Sequence, residues 1–121
     1  MHTGEAIPVV TDTVTLDAAL NEMTQKGLGM TTIVNADQQL VGVFTDGDLR
    51  RVLDHGEINI RTILVKDVMT GNCMTGSADM LAAEALQMME RYKINALPIV
   101  DGQHRVIGAM NMHDLLRAGV M

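Results

Sequence analysis

The stretch Gly42-Val43-Phe44-Thr45-Asp46-Gly47-Asp48-Leu49-Arg50-Arg51 returns, altered, as Gly108-Ala109-Met110-Asn111-Met112-His113-Asp114-Leu115-Leu116-Arg117. Each version reads as the end of a buried strand running into a helix. Glycine lets backbone come close, a hydroxyl or amide sits at the turn, and an acid falls in the first helical turn. The two versions stand 66 positions apart, and the same displacement relates their surroundings. Leu16, Ala19, Leu20 and Met23 form an apolar stripe at helical spacing, with counterparts in Ala82, Ala85, Leu86 and Met89. Ile33-Val34 corresponds to Ile99-Val100, and Leu40-Val41-Gly42 to Val106-Ile107-Gly108. The register runs without a gap from about residue 10 to about residue 53.

Thr15 is expected to cap the first helix, and Lys26-Gly27 to end it with the glycine in the left-handed region. Met30-Thr31-Thr32-Ile33-Val34 and Leu40-Val41-Gly42-Val43-Phe44 read as strands around a polar turn. A second helix then starts at Thr45 and Asp46 and reaches about Leu53. The expected organisation is a first repeat with an N-terminal arm over 1–55, a linker over 56–67 and a second repeat over 68–121. Each repeat is a β-α-β-β-α unit, so the fold class is α/β in the α+β sense, with pseudo-twofold symmetry. A unit of about 50 residues buries too little surface to be stable alone. That predicts a shared core and two related clefts, each rimmed by a Gly-to-Asp turn.

Hydrophobic residues make up 47% of the 121, but aromatics only 2%, so the core must be aliphatic, with eleven Met as adaptable filler. A net charge of −6 argues against nucleic acid or an anionic membrane as partner. Cys73 is the single cysteine, which excludes an intrachain disulfide. No apolar run approaches the ~18–20 residues of a membrane span, and Met1-His2-Thr3-Gly4-Glu5 lacks the pattern of a signal peptide. A cytoplasmic location is expected. His2, His55 and His104 are scattered without ligand spacing, so no metal site is argued. No Ser-His-Asp or Cys-His set is visible either, and no catalytic residue is assigned.

The chemistry of the turn points to a ribose phosphate. Thr45 and the free amides at a helix N-terminus suit a phosphate. Asp48 is an acceptor-only carboxylate matched to a vicinal diol, and Asp114 takes that place in the second copy. Arg50 or Arg51 would add a charge-assisted contact to phosphate. Asn111 stands where Thr45 stands in the first copy; it can still cap and still donate, but it is a different group. His113 is placed to meet a phosphate or sugar acid, or simply to be exposed at a helix start. Ordinary helix capping would equally explain Thr45 and Asp48. Met30 and Thr31, with Ala96 and Pro98 of the other copy, lie at the start of the central strands, where an apolar slot for a base competes with plain packing.

Two such units, the first ending in Gly-x-x-Thr-x-x-Asp, resemble a tandem pair of cystathionine-β-synthase (CBS) domains, a Bateman module, over nearly the whole chain. The resemblance implies a regulatory module that binds nucleotides, commonly adenosine derivatives, between its halves. Thr45 would then face phosphate, with Asp48 and Asp114 facing ribose. A narrower likeness is carried by Met1-His2-Thr3-Gly4, by Phe44 to Arg51 and by Met112 to Val120. Those stretches are similar to the C-terminal part of the bacterial arabinose 5-phosphate isomerase family, whose members supply the precursor of Kdo for lipopolysaccharide or capsule. This implies a regulatory fragment that is not itself an enzyme, with an N-terminal sugar isomerase (SIS) domain as its partner. It also implies a small-molecule effector (AMP, ADP, ATP or the cytidine-activated sugar CMP-Kdo), no required cofactor, and assembly as a homodimer or higher. The alternative is a purely structural dimerisation module with a vestigial pocket.

Overall fold

Each half of the chain builds a three-stranded sheet with a helix after its first strand and another after its last, as seen in a computed structural model that describes residues 3–117. In the first half these are β1 (Val9–Thr11), α1 (Leu16–Lys26), β2 (Met30–Val34), β3 (Leu40–Thr45) and α2 (Asp46–Asp54). The second half repeats them as β4 (Gly76–Ser77), α3 (Ala82–Tyr92), β5 (Ala96–Val100), β6 (Val106–Asn111) and α4 (Met112–Arg117). The displacement of 66 holds at the start of α1 and α3, of β2 and β5, of β3 and β6, and of α2 and α4. The first strand of each sheet runs parallel to the second, which pairs antiparallel with the third. Both antiparallel pairs shift register at the same place, between Ile33 and Val34 and between Ile99 and Val100.

Every residue of β2 is buried, which explains an unbroken run of apolar and β-branched residues in place of alternation. The Thr32 hydroxyl donates to the Pro8 carbonyl at 2.6 Å, so its burial leaves no unmade bond. One core gathers Leu16, Ala19, Met23, Ile33, Phe44, Val52 and Val65. A second gathers Ala85, Leu86, Met89, Leu97, Ile99 and Leu115. A third joins the halves, with Leu28, Met30 and Val43 from one and Ala109 from the other, flanked by Ala96 and Cys73.

The chain between α2 and β4 is packed onto the first half. Ile58, Ile60 and Ile63 lie against the first core, and Val65 is fully buried in it. Leu16 N donates to Ile63 O and Asp17 N to Ile60 O, both at 2.9 Å. These bonds satisfy the first amides of α1, which a side-chain cap would otherwise serve. Thr15 therefore makes no cap bond, contrary to expectation; its hydroxyl donates to the Asp17 carboxylate instead. Gly27 does end α1 in the left-handed conformation. In the arm, Gly4–Ala6 forms one 3-10 turn. Among the described residues, no helix is long and apolar enough to cross a membrane.

Candidate functional site

Both Gly-to-Asp turns reach one cleft of about 610 Å³ where the two halves meet. The internal repeat accounts for its walls. Gly27 to Met30, the turn after α1 and the first residue of β2, line one side, and Lys93 to Ala96 line the other at equivalent positions. Thr45, at the end of β3, and its counterpart Asn111, at the end of β6, both face in. Asp46, Gly47 and Arg51 follow Thr45, while Thr70, Cys73 and Met74 come from the segment that crosses between the halves. That segment is pinned to β3: Val43 N donates to Thr70 O at 2.9 Å, and Thr70 N donates back to Val43 O at 2.8 Å.

Thr45 opens α2 in a reciprocal cap. Asp48 N donates to Thr45 Oγ1 at 3.3 Å, and Thr45 N donates to Asp48 Oδ2 at 2.9 Å. Asp48 is only 2% exposed and does not itself line the cleft. Its Oδ1 accepts from Thr70 Oγ1 at 2.8 Å and from the Arg51 guanidinium. Those donors, together with Thr45, are cleft residues, so Asp48 stands one layer behind the wall. Asn111 makes the equivalent side-chain cap of α4, with Asp114 N donating to its Oδ1 at 2.8 Å.

Of the residues singled out from the sequence, Met30, Thr45, Arg51, Ala96, Pro98 and Asn111 come together around the cleft. Thr31 is buried and bonded to the Thr32 carbonyl, one residue out of phase with Met30 along the strand. Arg50 and His113 are exposed and Asp114 is half-buried; none of the three lines the cleft. Lys93, Thr70, Cys73 and Asp46 line it without having been anticipated. The displacement of 66 would have paired position 93 with Gly27, while Thr70 and Cys73 lie in the crossing segment, outside the register. Burial pushes the Cys73 thiol above its ordinary value, against a smaller opposing effect of a backbone hydrogen bond. No cluster of three or more metal-ligating side chains occurs among the described residues.

The family described as CBS domain matches residues 3–55 and 65–120. Over all 121 residues the chain is 54% identical to the arabinose 5-phosphate isomerase KdsD of Pseudomonas aeruginosa and 46% identical to that of Escherichia coli. It spans 37% and 36% of those two proteins, little more than a third of the curated relatives it matches. Among solved structures, CBSX2 in complex with AMP superposes with a TM-score of 0.80 at 22% identity, covering 98% of this chain and 91% of that one. The CBS domain pair of MJ0100, in complex with 5′-methylthioadenosine and S-adenosyl-L-methionine, gives 0.84 at 21%, covering 97% and 94%. At these identities the likeness establishes the shared fold. The α+β architecture of paired units is that of these neighbours.

Proposed function

This chain belongs to the CBS-domain family, as a pair of such domains homologous to part of KdsD, and we propose that it is the nucleotide-binding regulatory module of an arabinose 5-phosphate isomerase. The two domains account for residues 3–55 and 65–120. The carrying observation is the cleft between the halves, with capped helix starts and cationic side chains beside an apolar floor. Its floor of Met30, Ala96 and Pro98 suits a base, and Thr45, Arg51 and Asn111 suit a phosphate. Asp48 is the ribose acceptor: the Thr70 hydroxyl and the Arg51 guanidinium that occupy its Oδ1 are cleft groups, and a ribose diol would take their place. In the second copy Asp114 has the same part, with His113 beside it. The AMP and methylthioadenosine of the neighbours named above support a nucleoside ligand. Pathway logic adds CMP-Kdo as an end-product effector.

The effector would act on an N-terminal isomerase domain through its differential affinity for two arrangements of the pair. A thermal-shift screen against AMP, ADP, ATP, CMP and CMP-Kdo tests the reading. At a hundredfold excess over Kd, a bound ligand stabilises by roughly 2.7 kcal/mol, a rise of several degrees for a domain of this size. No shift with any of them would move the assignment to the second reading, a dimerisation scaffold. That reading draws on the internal bonding of Asp48 and on Leu53 and Leu116, exposed on α2 and α4 at 65% and 45%.

A further inference from the structure

Position 93 follows α3 as position 27 follows α1, and both residues adopt the left-handed conformation, Gly27 at φ 71°, ψ 22° and Lys93 at φ 56°, ψ 44°. Glycine takes that conformation freely, whereas a Cβ there clashes with the following carbonyl. The first copy has the unstrained residue; the second carries lysine at the same turn. Lys93 is exposed, so no packing offsets the strain. The favourable charge at the end of a helix is already supplied by Arg91 in the last turn of α3, as by Lys26 in α1. A strained backbone at the rim of a cleft points to a function for the side chain.

We propose that Lys93 is the phosphate anchor of this cleft and selects nucleoside phosphates over uncharged or sulfonium nucleosides. The inference rests on the nucleotide-binding reading above and adds the ligand class. The charged residues lining the cleft are Asp46, Arg51 and Lys93. Arg51 is paired with Asp48 until a ligand displaces it, whereas Lys93 makes no ion pair among the described residues even before a ligand enters. It is therefore an unneutralised ammonium on a chain of net charge −6. Its turn is fixed: Ile94 N donates to Met89 O at 2.9 Å, and Asn95 O accepts from Met112 N at 2.8 Å. The ammonium thus belongs to one half of the chain and Thr45, at the start of α2, to the other. A phosphate held by both would bridge the halves.

The test is calorimetric titration of AMP and adenosine into the wild-type chain, Lys93→Gly and Lys93→Arg. Lys93→Gly is expected to melt a few degrees higher without ligand, because the strain is gone. It should also bind AMP roughly tenfold or more weakly, the range of a lost charge-assisted bond, with adenosine affinity unchanged. Lys93→Arg should keep most of the AMP affinity. Equal weakening of AMP and adenosine, or unchanged AMP affinity, would overturn the assignment. Should the wild-type chain bind neither nucleoside, the nucleotide reading fails, and Lys93 is then judged on inorganic pyrophosphate. Amide shifts at residues 93–95 that vanish in Lys93→Gly would retain the anion site, and their absence in the wild type would remove it.

Discussion

Thr45 and Asp48 hold each other across the first turn of α2, each backbone amide donating to the other's side chain at 2.9 and 3.3 Å. One pair of residues thus makes the helix start and shapes the cleft rim, because Asp48 also fixes Arg51 and Thr70. Capping and the ligand contacts proposed above would therefore draw on one arrangement. Asp48→Ala removes the carboxylate half of the reciprocal cap and the shared acceptor of Thr45 N, Thr70 Oγ1 and Arg51, so it is predicted to destabilise the chain by roughly 1–2 kcal/mol. Asp48→Asn keeps one acceptor oxygen and should lose less. Urea denaturation of both variants checks this, and an unchanged midpoint in Asp48→Ala would refute the structural half of the role.

At Gly42 the space is closed. A Cβ there would lie 2.7 Å from Thr70 O and from Met69 Sδ. Replacing a strand glycine by alanine ordinarily stabilises, but here the added methyl would part β3 from the crossing segment. Gly42→Ala is predicted to destabilise by roughly 1–3 kcal/mol, in the manner of an overpacked core. A higher melting temperature in the variant would show that the segment yields without cost.

Val65 tests whether the crossing segment is part of the fold or a tether. It is fully buried with Leu16 and Phe44. Val65→Ala removes two methyl-sized groups at about 0.8 kcal/mol each and leaves a cavity, so a loss of roughly 2 kcal/mol is expected. A loss below a few tenths, measured by denaturant midpoint, would mark the segment as a tether.

The repeat explains how much of this could be read from residues alone. Strands, helices and the cleft residues Met30, Ala96, Thr45 and Asn111 follow from apolar periodicity and a constant displacement, since equivalent residues fold equivalently. Thr15 misled because its helix is capped by backbone brought from Ile60 and Ile63, a contact with no local signature. The packing of residues 58–65 was hidden for the same reason: Ile58, Ile60 and Ile63 stand among charged and polar neighbours and show no single period. The capping place of Asp48 at the start of α2 follows from the local sequence, but its position behind Arg51 and Thr70 depends on a residue 22 positions away. Thr31 was drawn in by its neighbour Met30, and strand alternation separates the two.

Cys73 provides a reporter of occupancy. Its thiol is half-buried in the cleft wall and titrates above the ordinary cysteine value. Less thiolate is present at a given pH, so alkylation by iodoacetamide at pH 8 should be slower than for a free cysteine peptide and should keep accelerating to a higher pH. A nucleotide in the cleft should slow it further. Alkylation at the peptide's rate, unaffected by saturating nucleotide, would contradict both the burial and the site.

Mapping of backbone amide shifts during titration with the tightest-binding nucleotide tests the central claim most directly. Saturable shifts are expected at residues 27–30, 45–47, 93–96 and 111, drawn from both halves of the chain. Shifts confined to one half or lying away from these turns, or no shift at millimolar ligand, would contradict it.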